Sequence, residues 1–209
     1  MPTTHINFII FDQQRIPVTD GKYNLELEIA DKNRDMRAFK AKDELSVSFK
    51  KDRILLSDIE LIESFSQATE TSLMAKSGYD FIPYQDYFYP QSNKKITYYA
   101  EIYNTSAILG EAAQFVVTSS LQSVETGNPI ENFYRIKRET ASTVNVIFNE
   151  FDISELPSGN YNLVISVRDK DKKELTSKRT FIQRSNPGVQ YNTSALNSVA
   201  VAISFVSGM

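Results

Sequence analysis

Cysteine and tryptophan are missing from this chain of 209 residues, and histidine occurs once, at position 5. The lack of cysteine excludes disulfides, thiolate metal sites and cysteine nucleophiles. A triad for acyl transfer needs a nucleophile, a base and an orienting group in a supported cleft. We expect His5, close to the amino terminus, to be a surface residue, and histidine-based catalysis is therefore excluded.

Glycine is also scarce, and its seven residues stand singly along the chain. Neither the phosphate-binding pattern Gly-x-x-x-x-Gly-Lys nor the dinucleotide pattern Gly-x-Gly-x-x-Gly occurs. Nothing in the sequence marks a pair of carboxylates for glycoside hydrolysis. The sequence therefore predicts a protein that is not an enzyme and that holds no cofactor.

There is no excess of positive charge: the formal net charge is -3 and the isoelectric point is about 5.3. Without a basic field to attract phosphates, nucleic acid is not an expected partner. The longest apolar stretch, residues 199–206, is far shorter than the roughly 18–20 residues that span a bilayer, so no transmembrane segment is expected. Residues 1–7 carry no features of a secretion signal, so a signal for export would lie upstream.

An internal repeat organises the sequence. Residues 6–34 match residues 144–172 without a gap, at a constant offset of 138, and the best-matched stretches are 21–25 over 159–163. In each copy, apolar residues alternate with polar ones, as a half-buried strand requires, and an Asp-containing hairpin turn follows. The two copies are predicted to be the last three strands of two β-sandwiches.

A glycine and a tyrosine mark the start of the alternating strand in each copy. Gly21 and Gly159 are predicted to supply a backbone turn at that point. Tyr23 and Tyr161, two residues further on, resemble the tyrosine corner of β-sandwiches, in which the hydroxyl binds upstream backbone.

Further runs of strand-like sequence lie between and after the copies: 55–62, 96–103, 113–121, 133–137, 144–151, 160–168 and 175–183. Seven strands make a complete immunoglobulin-like sandwich. We therefore predict an all-β chain of immunoglobulin-like antiparallel β-sandwiches in tandem. Residues 1–53 would be the C-terminal strands of a truncated module, 54–186 a complete sandwich, and 187–209 a tail with a short helix, since its apolar residues have helical spacing.

Three segments resemble a known family: Leu56-Ser57-Asp58-Ile59-Glu60-Leu61, residues 152–163 and residues 181–187. In order and spacing they are similar to the region that precedes the carboxy-terminal domain in bacterial GWxTD-domain proteins. The motif that names the family is absent from this chain. The resemblance implies a larger multi-domain cell-envelope protein that is periplasmic, associated with the outer membrane or secreted, and it implies no catalytic residue.

Tyrosine is concentrated in one segment, since seven of the eleven tyrosines lie between residues 79 and 103. Within 96–103 the alternation places Tyr99 and Tyr103 on one face with Glu101, and Tyr98 on the opposite face. Exposed tyrosines can stack on sugar rings or anchor a protein partner. The candidate binding residues are Tyr84, Tyr87, Tyr89, Tyr99 and Tyr103.

Two alternatives remain at the candidate sites. The tyrosine segment can instead pack at a junction between modules, where Pro83 and Pro90 stiffen the chain. Two acidic loops could offer oxygen ligands to Ca²⁺, but lysines beside the second would repel a cation, so solvated turns and no metal site are expected. The loop residues are Asp31, Asn33 and Asp35 in the first and Asp169, Asp171 and Glu174 in the second.

These features predict a non-catalytic structural or protein-interaction module of a larger exported protein. Its partner would be another protein or the neighbouring domains of the same protein. A carbohydrate-binding accessory module that uses the tyrosine strip is the alternative. Exposure of Tyr84, Tyr87, Tyr99 and Tyr103 in one coplanar row would favour the carbohydrate.

Overall fold

The computed structural model describes residues 14–33, 37–69 and 75–189. The chain divides into two compact units, Met1–Lys51 and Asp52–Met209. This boundary is two residues before the one that the sequence predicted. The tail predicted to be helical lies outside the described residues from position 190 onwards, as do His5 and Asp35.

The first unit contains one antiparallel hairpin, formed by β1 (Gly21–Ile29) and β2 (Phe39–Val47). Its register runs from Gly21 opposite Val47 to Ile29 opposite Phe39. These are two of the three strands predicted for a truncated module, and the third would lie outside the described residues. The described part of the first unit is therefore a hairpin and not a second sandwich.

The second unit contains two β-sheets, each with long and short strands, and one short helix. Its elements are β3 (Leu55–Leu56), β4 (Glu60–Gln67), β5 (Tyr79–Pro83), β6 (Phe88–Tyr89), β7 (Lys95–Tyr103), α1 (Thr105–Leu109), β8 (Gln114–Ser123), β9 (Pro129–Thr140), β10 (Val144–Asp152), β11 (Gly159–Arg168) and β12 (Glu174–Arg184). One sheet has the order β10-β7-β4-β5, with β3 also paired to β7. The other has the order β6-β12-β11-β8-β9. Only the short β6–β12 pairing among these strands is parallel.

The path of the chain between the two sheets is that of an immunoglobulin-like sandwich. β7 pairs with β10 rather than with β8, and β8 pairs with β9 and β11. The chain therefore crosses to the second sheet after β7, returns with β10, and crosses again to β11. Immunoglobulin domains have the same arrangement, with strands B and E in one sheet and C, F and G in the other. The predicted all-β antiparallel sandwich is confirmed for this unit.

Alternating apolar side chains of the two sheets form the core. In β7 these are Ile96, Tyr98, Ala100 and Ile102, and all four are fully buried. In β11 they are Tyr161, Leu163, Ile165 and Val167, which are equally buried. Because side chains in a strand alternate between faces, the residues between these positions lie on the outside of the sandwich.

All seven runs predicted as strands contain strands, with one interruption. The run 55–62 is broken where β3 ends at Leu56 and β4 begins at Glu60. There Ser57 Oγ accepts a hydrogen bond of 2.9 Å from the Glu101 backbone N–H, which holds the connection against β7. β5, β6 and α1 were not predicted.

The tyrosine corner is present in both copies of the repeat, without the expected glycine turn. Tyr161 Oη donates to the Pro157 carbonyl at 3.0 Å, and Tyr23 Oη donates to the Thr19 carbonyl at 2.7 Å. The glycines that precede them are extended residues at the strand starts, with no positive φ. A Cβ on Gly21 would lie 3.4 Å from the Tyr23 ring, which is an ordinary van der Waals contact, so the ring does not require glycine at this position.

Candidate functional site

A second apolar cluster lies on the outer face of the β10-β7-β4-β5 sheet, away from the main core. We call it the outer patch, and it consists of Ile62, Phe65, Tyr79, Phe81, Tyr99, Val146 and Phe148. An outward-facing sheet surface in contact with water normally carries polar residues. The outer patch is therefore a departure from the pattern that a stable sandwich alone requires.

The rings of the outer patch contact one another edge to face and at tilted angles. The Phe65 and Phe148 rings are 4.8 Å apart at 88°, and Phe81 lies 5.1 Å from Phe148. Phe81 also lies 5.0 Å from Tyr99. Aromatic pairs at such distances contribute about 0.5–1.5 kcal/mol beyond burial. The rings thus form one packed set rather than independent side chains.

Part of this ring set faces solvent. Phe81 and Tyr99 are buried, whereas 48% of the Phe65 side chain is exposed. Val146 and Phe148 are half-buried on β10, which is the edge strand of its sheet. The outer patch therefore offers an apolar surface next to a strand edge.

Two tyrosine hydroxyls share one carboxylate beside the outer patch. Tyr99 and Tyr103 both donate to Glu101, one to each carboxylate oxygen. The sequence predicted this grouping of three residues on one face of β7. Burial and, second, the hydrogen bond to Glu101 raise the pKa of Tyr99 to about 12. The same two causes raise the pKa of Tyr103.

A lysine closes the other side of Tyr99. Lys76 forms an ion pair with Glu60, and its Nζ lies 5.7 Å from the centre of the Tyr99 ring. Ser77 Oγ lies 2.9 Å from the Tyr99 hydroxyl oxygen. Each polar group around Tyr99 thus has a partner within the protein, and the arrangement holds the ring in place.

An open groove of about 730 Å³ lies where β4 separates from β7. β4 pairs with β7 only through residues 60–62, whereas it pairs with β5 through residues 62–67, with a register shift after Ile62. We call this space the corner groove. Its polar lining includes Glu63, Asn93 and Lys94.

Tyr84 and Tyr89 line the corner groove as a stacked pair, with ring centres 4.5 Å apart. Tyr84 Oη donates to the Phe88 carbonyl at 2.7 Å and accepts from Asn93 Nδ2 at 3.1 Å. Tyr89 is buried against the main core, and burial raises its pKa. Tyr87 is exposed for 56% of its area.

The five candidate tyrosines therefore do not form one exposed row. Tyr89 and Tyr99 are buried, because Tyr89 points into the core and Tyr99 is covered by Phe81 and the segment around Lys76. Alternation along a strand indicates which residues share a face, but it does not show what folds over that face. Phe65 and Phe148 were missed for the same reason.

A buried arginine that the sequence analysis did not single out holds the loops beside the corner groove. Arg184 is 2% exposed. Its guanidinium donates to the carbonyls of Pro90, Asn93 and Ile153, at 2.6, 2.7 and 3.0 Å. Burial lowers its pKa. Arg184 thus joins β12 to two loops that neither sheet holds by strand pairing.

The acidic loops use their carboxylates within the turns. Asp169 Oδ1 accepts the backbone N–H groups of Asp171 and Lys173, both at 2.9 Å. Glu174 accepts from Ser166 and Ser177, at 2.9 and 2.8 Å. In the described residues, no group of three or more metal-ligating side chains comes together.

No helix in the described part of the chain is long and apolar enough to cross a membrane. No family model matches the chain, and no curated protein is similar to it. Solved structures that match include the extracellular domain of a putative one-component system from B. thetaiotaomicron, with 17% identity and a TM-score of 0.30. The match covers 77% of this chain and 20% of that one, so this chain spans about a fifth of that structure's length. A similarity of this size carries no conclusion about function.

Proposed function

We propose that the chain is a non-catalytic β-sandwich module that binds a protein partner through the outer patch. The observation that carries the proposal is the ring set around Phe65, which is apolar, closely packed and partly open to solvent on the outside of a sheet. Contiguous exposed apolar surface on a folded domain marks an interaction site, and aromatic residues dominate the energetics of such sites.

The polar surroundings of the outer patch support binding rather than chemistry. Glu101 is held by two tyrosine hydroxyls and Glu60 by Lys76. A general acid or base must lie within hydrogen-bonding reach of a substrate atom and must be free to give or take a proton there. The carboxylates here are instead part of the support of the surface.

A second proposal concerns where the module works. The resemblance to GWxTD-domain proteins supports a place in a larger exported protein of the bacterial cell envelope. Antibodies against residues 52–189, used on fractionated cells, test this. Signal in the periplasmic or outer-membrane fraction at a mass above 23.8 kDa is expected, and signal confined to the cytosol would contradict it.

Crosslinking tests the outer patch directly. Phe65→Ser would remove the exposed ring, and Phe181→Ser would remove a similarly exposed ring, 45% exposed, on β12 in the other sheet. The parent protein and both variants are tagged, expressed in the native cells and crosslinked, and the adducts are identified by mass. Loss of one adduct in Phe65→Ser only is expected, and equal adducts in all three proteins would contradict the proposal.

Carbohydrate binding is the second candidate function, and it rests on the corner groove. Tyr84 lies there with Glu63, Asn93 and Lys94, which offers a ring together with hydrogen-bonding groups. Calorimetric titration with oligosaccharides, comparing the protein with Tyr84→Ala, tests it. Heat of binding that disappears in the variant would favour the carbohydrate over the protein partner.

A further inference from the structure

The hairpin of the first unit has the same strand register as the β11–β12 hairpin of the second unit up to Ile29 and Val167, and it shares several side-chain hydrogen bonds with it. Besides the tyrosine corner, one bond at the start of the turn recurs: Asp31 Oδ1 accepts the Asn33 N–H at 2.8 Å, as Asp169 does with Asp171 at 2.9 Å. A bond at the open end of the hairpin also recurs. In each hairpin, a side chain just before the first strand accepts a backbone N–H just after the second strand. These bonds join Asp20 to the Phe49 N–H and Ser158 to the Asn186 N–H, both at 2.7 Å.

The two faces of the first hairpin differ in polarity. One face carries Tyr23, Leu25, Leu27 and Ile29 of β1, opposite Leu45, Asp43, Ala41 and Phe39 of β2. The other face is charged, and its ion pairs Lys42–Glu26 and Lys40–Glu28 have distances of 2.5 and 3.2 Å. The charged face suits water, whereas the first face is apolar except for Asp43, which lies opposite Leu25.

The equivalent residues of the two hairpins differ sharply in burial. Leu163 and Ile165 of β11 have no exposed area, whereas their equivalents in β1, Leu25 and Leu27, are 53% and 48% exposed. In the second unit, β8 covers the flank of β11 by pairing from Tyr161 opposite Ser123 to Arg168 opposite Val116. Among the described residues, β1 pairs with β2 alone. Within the described part of the chain, the edge that β8 occupies on β11 is thus open on β1.

We propose that β1 is an acceptor edge for a protein partner that adds an antiparallel strand of alternating apolar residues. The added strand takes the place along β1 that β8 takes along β11, and the sheet that carries it covers the apolar face. Its inward side chains would stand opposite Leu25 and Ile29, as Leu121 and Val117 stand opposite Leu163 and Val167. Strand addition of this kind obtains affinity from main-chain hydrogen bonds and specificity from alternate side chains.

A second copy of the same hairpin would not satisfy this face. A two-stranded ribbon of nine residues is about 30 Å long and 10 Å wide, which gives about 300 Å² per copy when two faces meet. Stable dimers bury about 800 Å² per partner. Pairing of two β1 edges would leave the combined apolar face open. A partner that brings a larger sheet meets both needs.

The β8 sequence provides a probe, because β8 is a strand known to pair with this motif. A fluorescein-labelled peptide of residues 114–123 is titrated with the full chain and followed by fluorescence anisotropy. A shuffled peptide of the same composition is the control. Saturable binding of the β8 peptide alone is expected, and equal binding of both peptides, or of neither, would overturn the proposal.

Side-chain variants of the protein and N-methylated peptides show where and how the peptide binds. Leu27→Lys on the apolar face should weaken binding by about tenfold or more, because a charge would be buried, while Glu26→Gln on the charged face should not. Strand pairing uses every second amide of the added strand, so N-methylation in one alternating phase should abolish binding and in the other should not. Equal effects of the two phases would contradict strand addition.

Two further results separate this proposal from its competitors. Phe65→Ser removes the exposed ring of the outer patch and should leave the affinity for the peptide unchanged, so the proposals for the two surfaces are tested independently. Sedimentation velocity of the full chain at 10–100 times the peptide Kd should show a monomer. A dimer that Leu27→Lys dissociates would mean that a second copy covers the face, and the proposal would be wrong.

Discussion

Single hydrogen-bonding side chains fix the ends of strands in this protein. The phenol of Tyr161 is buried, and its bond to the Pro157 carbonyl closes the approach to β11. Arg184 does the same for the loops before β7 and after β10. Such groups stabilise more by preventing an unsatisfied buried acceptor than by the strength of the bond itself.

Replacing Tyr161 with Phe tests the tyrosine corner. The change removes one buried hydroxyl and leaves the Pro157 carbonyl without that donor, so we expect a loss of about 1 kcal/mol in the free energy of unfolding. Urea denaturation gives the value. Tyr134→Phe, at an exposed tyrosine, is the control and should be neutral. An unchanged midpoint in Tyr161→Phe would show that the corner bond contributes nothing.

Arg184→Met tests the buried guanidinium. Three backbone carbonyls lose their donor, and we expect a cost of about 2–4 kcal/mol in unfolding free energy. Arg179→Met, an exposed position on the same strand, should change it by less than about 0.5 kcal/mol. Similar costs for the two variants would show that the three hydrogen bonds of Arg184 contribute no stability of their own.

The raised pKa of Tyr99 makes stability depend on alkaline pH. Its folded value of about 12 lies above the value of about 10 for an unfolded tyrosine. The resulting stabilisation is complete below about pH 10 and is lost as the pH rises through 12. Urea midpoints measured from pH 8 to 12 should fall less steeply in Tyr99→Phe than in the parent. Parallel curves would contradict this.

At the scale of the strand, the alternation of apolar and polar residues in the sequence was enough to predict several of the long strands. It placed β7, β10, β11 and β12 within a residue or two. In β7 and β11 the inward residues form an uninterrupted apolar series. It missed β5 and β6, since these short strands lie among tyrosines and prolines whose pattern has no single period. The outer patch was missed because Phe65 and Phe148 are distant in sequence and meet only when β4 and β10 flank β7.

The repeat supplies a matched pair of substitutions. Leu163→Ala in β11 empties space in a packed core and should cost about 2–5 kcal/mol. Leu25→Ala in β1 changes an equivalent but exposed side chain and should cost less than about 0.5 kcal/mol. Both values come from urea denaturation of the full chain. Comparable costs would show that the face of the first hairpin is covered in solution.

At the scale of the whole molecule, the two units should differ in local stability. A hairpin of two strands is marginal by itself, whereas the sandwich has a continuous core. Hydrogen exchange read by mass spectrometry should therefore show β1 amides exchanging at least a hundred times faster than β11 amides. Equal protection would mean that both hairpins belong to one cooperative core. Adding the peptide of residues 114–123 should slow exchange of the β1 amides and leave exchange of the β11 amides unchanged.

The tyrosine corner also bears on how the chain folds. It is formed in the first hairpin although the apolar face beside it is uncovered, so it does not depend on a completed core. It joins residues four apart, and closing so short a loop costs little chain entropy, whereas the β7–β10 pairing joins residues 41 or more apart. We expect the corners to close among the earliest folding events and the crossing between sheets to limit the rate, as low contact order predicts.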